Sequence, residues 1–129
     1  MGAELVSFTV SGSTKRTEAF LKKMASGNLY SSLDSLAQQG VSALIAGTPI
    51  DSGLAADSWS YEVERSGKSV TIKWLNHDVE NGFPVAIMLQ YGHGTGTGGY
   101  INGQDYINPA MKPVFDRIAN QVWKAVTSA

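Results

Sequence analysis

Three features of the sequence predict an α+β fold, with an antiparallel sheet of three to five strands packed against a long amphipathic helix and a C-terminal helix. Leu29, Leu33, Leu36, Ala37, Gly40, Val41, Leu44 and Ile45 recur at helical spacing. Trp59, Tyr61 and Val63, then Val70, Ile72 and Trp74, alternate with polar neighbours on either side of Arg65-Ser66-Gly67-Lys68, which is the pattern of a β-hairpin. Val114, Phe115, Ile118, Ala119, Val122 and Val126 mark a last helix with one inner face. An apolar helix stripe must be buried against another layer, and a hairpin with bulky residues on one face supplies it. The 129 residues are read as one domain, with a strand and helices over 4–47, the hairpin over 57–75, a glycine-rich loop over 92–105 and the C-terminal helix over 108–126.

In chain order, Leu5 to Val10 reads as a short strand ended by Ser11-Gly12-Ser13. Thr14 to Met24 reads as a short helix with Phe20, Leu21 and Met24 on one side. Its Lys15, Arg16, Lys22 and Lys23 share a face, which is either solvated or turned to an anionic partner. The long helix can be capped by Ser26 or Asn28, ended by a left-handed Gly47 and stopped by Pro49. In the connector that follows, Pro49 fixes one torsion, Asp51 and Ser52 can fold back onto backbone N–H groups, and Gly53 tolerates a tight bend. Asn76-His77-Asp78 and Asn81-Gly82 break the strand pattern. Val85 to Tyr91 is then a buried strand or a turn of helix, which periodicity does not separate at this length. Pro109 suits the first turn of the last helix, whereas Pro113 predicts a bend or a late start.

Composition narrows the function classes. Ten basic and eleven acidic side chains give a net charge of -1, which argues against a protein that grips nucleic acid by neutralising phosphates. With no cysteine there is no disulfide framework and no thiolate metal site. The N-terminal residues lack the pattern of a secretory signal, and no apolar run is long enough to span a bilayer, so a protein kept in the cytosol before any assembly is expected.

The densest feature is Phe83 to Pro109, where glycines occupy positions 92, 94, 96, 98, 99 and 103. Glycine gives up more conformational freedom on ordering than other residues, so such a loop is either mobile or ordered by something it touches. Gly94-Thr95-Gly96-Thr97-Gly98-Gly99 satisfies G-x-G-x-x-G and makes a small ligand- or nucleotide-binding module the alternative function. That motif needs the glycines to open a helix, yet Tyr100-Ile101-Asn102-Gly103 continues the loop. A long hairpin turn is the second reading, and ordering against a neighbouring subunit the third and favoured one. Chemistry finds little purchase. His77 and His93 would need Asp78, Glu80 or Asp105 to hold a metal, and Ser52, His93 and Asp105 form a triad only on paper, with no G-x-S-x-G around the serine. Glu62 and Glu64, two apart on a strand, keep its outer face wet. Trp59, Tyr61 and Trp74 could stack bases, but too few basic residues accompany them, so core or subunit contact is expected.

The ordered set TPIDSGLAADSW, a hairpin, then PVAIMLQYGHGTGTGGYINGQDYINPAMKPVF and a terminal helix resembles the head-tail joining and tail-completion (minor tail) proteins of tailed bacteriophages and prophages. The resemblance rests on the structural turn Pro49, Asp51, Ser52 and Gly53, on the junction Tyr91-Gly92, and on Tyr106, Ile107, Pro109 and Ala110 at the entry to the last helix. Ser52 stands where threonine is commoner, Gln90 where many members carry glutamate, and the glycine loop is longer than usual. The resemblance implies a structural virion protein of the neck or tail that forms a ring, a homohexamer, between the tail tube or tail terminator protein and the head connector. It implies no enzyme activity, cofactor or metal, no membrane, and DNA that passes without sequence-specific binding. Trp59, Tyr61, Trp74, Tyr91, Gly92, His93, Gly94, Thr95, Gly96, Tyr100 and Tyr106 are the candidates for subunit contact. A heterologous ring contact needs two unlike surfaces, which a flexible arm and an aromatic hairpin face would provide, with ordering deferred until assembly.

Overall fold

A computed structural model describes residues 3–11, 28–49, 53–66, 69–80, 82–94 and 97–127. Within them the fold is α+β. Strand β1 (Ala3–Ser11) is followed by helix α1 (Asn28–Gly47), one helical turn α2 (Gly53–Ala56), and strands β2 (Trp59–Ser66) and β3 (Ser69–Asn76). Two short strands, β4 (Val79–Glu80) and β5 (Phe83–Pro84), precede helix α3 (Val85–Tyr91). Strands β6 (Gly92–Gly94) and β7 (Tyr100–Asn102) then lead to helix α4 (Ile107–Thr127). The predicted helix from Thr14 to Met24, the cap at Ser26, Asp51 and Ser52 of the turn, and Gly67-Lys68 of the hairpin lie outside the described residues.

The main sheet has the order β1-β3-β2 and is antiparallel throughout. Its register sets Tyr61 opposite Trp74 and Val63 opposite Ile72 on one side, and Val6 opposite Trp74 and Phe8 opposite Ile72 on the other. Side chains alternate along a strand, so this register gathers Val6, Phe8, Tyr61, Val63, Ile72 and Trp74 on one face. Helices α1 and α4 pack on that face, burying Leu33, Ala37 and Leu44 with Met111, Val114 and Ile118. Phe115 meets both layers, with ring centroids 5.7 Å from Phe8 and 6.0 Å from Trp74. The other face carries the buried Leu75 at one end and is polar over the rest. Thr9 and Thr71 share a hydrogen bond of 2.9 Å, and Lys73 lies 2.9 Å from Glu64 and 3.8 Å from Glu4. The hydrogen bond to Glu64, aided by the charges of Glu64, Glu4 and Glu62, raises the Lys73 pKa above its ordinary value against an opposing desolvation.

Glycine in α1 serves close packing. A Cβ on Gly40 would stand 2.5 Å from Trp74 Nε1, so only glycine leaves room for the indole that donates to Ala37 O at 3.0 Å. Gly47 was expected in the left-handed region, but it closes α1 without a positive φ. Its missing side chain lets Ala110 and the Tyr106 carbonyl approach. Thr48 does the capping, its N–H and hydroxyl both donating to Leu44 O, at 3.0 and 2.6 Å.

Val85 to Tyr91, undecided by periodicity, is helical. The last helix begins at Ile107 rather than late and continues through Pro113. The N–H that proline lacks there would have gone to Pro109 O, and both prolines are exposed, so water can take the carbonyl. Two apolar residues expected on inner faces, Ile45 and Ala119, are exposed, while Met111 is fully buried.

Candidate functional site

The glycine-rich segment is an arm. β6 and β7 pair antiparallel, Gly92 with Asn102, His93 with Ile101 and Gly94 with Tyr100, so the strands form within one chain. Thr95 and Gly96 lie outside the described residues. The described residues after Gly94 lead into β7 and open no helix, which removes the geometry a G-x-G-x-x-G phosphate site requires.

The base of the arm is built by two glycines. Gly92 caps α3 with φ +86°, its N–H donating to Met88 O. A Cβ there would lie 2.6 Å from both Ile101 O and Tyr100 Oη. Gly103 crosses so close to the backbone of Gln90, Tyr91 and Gly92 that no side chain fits. The Tyr100 hydroxyl donates to Tyr91 O at 3.0 Å and Gln104 N–H to Leu89 O at 2.9 Å, tying the returning strand to α3.

Gln90, buried beneath the arm, joins it to α4. Its Oε1 accepts from Tyr106 N–H at 3.0 Å and Ile107 N–H at 2.9 Å, while its Nε2 donates to Asp105 Oδ1 at 2.7 Å. Asn108 Nδ2 donates to the same Asp105 oxygen at 3.0 Å. The first N–H groups of a helix have no partner within it. Here one amide side chain from α3 satisfies two donors at the start of α4, and Pro109 has no N–H to satisfy. The only sequence signal for this role is a lone amide at the end of an otherwise apolar run.

The aromatic candidates divide. Trp59, Trp74 and Tyr106 are core residues and not surface ones. Trp59 Nε1 donates to Thr48 Oγ1 at 2.9 Å and the Tyr106 hydroxyl to Ala86 O at 2.8 Å, and burial pushes the Tyr106 pKa from 10.0 up to about 12. Each had a polar handle that found an internal partner, which is why burial won over display. Tyr61 is half-buried, its hydroxyl bonded to Asp34 and reached by Gln38 Nε2 at 3.3 Å. Tyr91 and Tyr100 are 67% and 63% exposed, as are Phe83 at 62% and Ile101 at 52%. His93 is half-buried, with a buried Nδ1 that has no hydrogen-bond partner.

Beside the arm lies a slot of about 120 Å³ between β1, α3 and α4, lined by the apolar Leu5, Val6, Ile87, Ile107, Met111 and Phe115 together with Tyr91 and the polar Gln90 and Asn108. Consecutive strand residues normally point to opposite faces. The register shift between Glu4 and Val6 inserts Leu5 as an extra residue, which lets Leu5 and Val6 line the same slot.

Groups with chemistry are dispersed. Ser60 Oγ and His77 Nε2 lie 2.8 Å apart on exposed side chains, and the Asp105 carboxylate is held by Gln90 and Asn108. Ser52 of the paper triad lies outside the described residues, as does Asp51, while Pro49 follows α1 and Gly53 opens α2. The connector does more than connect: Ala55 is buried, and its carbonyl accepts from buried Asn76 Nδ2 at 2.8 Å, fixing α2 to the end of β3. Among the described residues no group of three or more His, Asp or Glu could hold a metal ion, and no helix is long and apolar enough to cross a membrane. No family model matches the chain, and no curated protein or solved structure matches it.

Proposed function

We propose that the chain is a structural subunit of a tailed phage or prophage particle, forming a ring at the tail-head junction and acting by contact rather than catalysis. Its partners are further copies of itself, the tail tube or tail terminator protein, and the head connector. The observation that carries this reading is the arm with α3. No Asp, Glu, Lys or Arg occurs from Asn81 to Gln104, yet Phe83, Tyr91, Tyr100 and Ile101 are more than half exposed there. A charge-depleted, tyrosine-bearing surface has the composition of the centre of a protein interface. The ordered motifs that resemble tail-completion proteins supply the rest, and a net charge of -1 suits a passage through which DNA slides.

The test is complementation with isolated particles. Tails made without this protein should fail to join filled heads, and adding the purified chain should restore joining. The substitution Ile101→Ser, on an exposed side chain, should restore little, with unchanged thermal stability. Normal joining in the absence of the protein removes the reading.

A further inference from the structure

We propose that β2 is a docking edge for an extended basic peptide of another protein, which adds to the sheet as a further strand, with Lys or Arg at every second residue and apolar side chains between them. Among the described residues β2 is the outermost strand on its side of the sheet. A groove of about 360 Å³ runs between that strand and α1, lined by Gln38, Val41, Ser42, Trp59, Ser60 and Tyr61. The register of β2 is unbroken, so the side chains of Trp59, Ser60 and Tyr61 point to alternate faces. Three such residues share one groove because it opens on their backbone. The edge is therefore accessible from Trp59 to Tyr61, where an added strand can make main-chain hydrogen bonds.

Charge selects the partner. An added strand turns alternate side chains to the two faces of the sheet. On the polar face its neighbours are Glu62 and Glu64, both exposed and on the same side of β2. Among the described residues the ion pairs of that face belong to Lys73, shared between Glu64 at 2.9 Å and Glu4 at 3.8 Å, and Glu62 joins none. Three carboxylates around one ammonium leave the face short of positive charge, so Lys or Arg residues of the incoming strand meet acidic partners at the spacing of their own alternation. The side chains between them fall on the other face, over the groove beside Val41 and Tyr61. A second copy of this chain is the wrong occupant. Pairing β2 with β2 sets Glu62 and Glu64 against the same carboxylates, and β1 carries Glu4 with no Lys or Arg.

This docking does not rest on the virion reading, and its failure leaves that reading in place. The probe is a short synthetic peptide in which valine and lysine alternate, and the control has the same composition with its lysines contiguous. Titrated against the full chain, the alternating peptide should bind in the micromolar to millimolar range and more weakly as salt rises. It should slow amide exchange from Trp59 to Glu64, which the control should not do. Glu62→Gln, on an exposed side chain outside any ion pair, should weaken binding by roughly twofold to fivefold with the thermal midpoint unaltered. Ser42→Trp, at an exposed position of α1, fills the groove and should weaken binding by about tenfold or more. No binding at millimolar peptide, equal binding of the two lysine peptides, protection of β1 instead of β2, or an affinity indifferent to Ser42→Trp overturns the docking. Tighter binding of a peptide that alternates valine with glutamate also overturns it.

Discussion

Replacing Gln90 tests whether one side chain couples the arm to the terminal helix. Gln90→Ala removes the acceptor shared by Tyr106 N–H and Ile107 N–H and the donor to Asp105. Tyr106 is buried and Ile107 half-buried, so water reaches the second N–H more readily than the first. A buried donor left unpaired costs about 1–3 kcal/mol, and loss of a helix N-terminal cap about 1 kcal/mol. The expected destabilisation is therefore roughly 2–4 kcal/mol, read by urea unfolding with an unchanged slope. Amide exchange should accelerate at residues 100–107 before it does so in the sheet. Gln90→Glu makes the sharper comparison: the new carboxylate keeps both acceptors but faces the Asp105 carboxylate and cannot donate to it. Its deficit should shrink as the pH falls through the carboxylate range, where the protonated acid donates again. A Gln90→Ala protein as stable as the parent, with unchanged exchange over residues 100–107, refutes the coupling.

Tyr106→Phe should cost about 1 kcal/mol by leaving Ala86 O without its hydroxyl donor. The unfolded chain releases the Tyr106 proton near 10.0 and the folded chain at about 12, so parent stability from this group is fully present below the first value and is lost as pH rises through the second. Thermal midpoints from pH 9 upward should show this fall in the parent and a shallower one in the variant. Gly40→Ala would place a methyl 2.5 Å from Trp74 Nε1. It should destabilise by roughly 1–3 kcal/mol through overpacking despite alanine's better helix propensity, with a change in tryptophan fluorescence as the indole leaves Ala37 O. Gly92→Ala and Gly98→Ala share a positive φ, +86° and +91°, but only the first meets neighbouring atoms. Proteolysis within the arm should therefore accelerate in both, and more in the first, where steric overlap adds to the backbone strain.

What could be read from the chain was whatever repeats locally. The stripe from Leu33 to Leu44 and the alternation from Trp59 to Trp74 each carry their own period, and both elements formed where expected. Val85 to Tyr91 was too short for a period to decide; α3 ends where Gly92 can take a positive φ and donate to Met88 O. Burial of the aromatics was not legible, since alternation tells which side chains share a face but not whether that face is covered. Helices α1 and α4 cover it, sending Trp59, Trp74 and Tyr106 inward and leaving Tyr91 and Tyr100 in solvent.

The sequence by itself determined the α+β class, the long helix, the hairpin, the terminal helix and the absence of charge along the arm, because secondary-structure period and composition are properties of neighbours in the chain. Tertiary structure alone decided that the Gln90 amide would meet the backbone of Tyr106 and Ile107, that Leu5 and Val6 would share one slot, and that Gly40 and Gly47 would serve close approach. These depend on distances between segments far apart in sequence, and no local pattern encodes a distance.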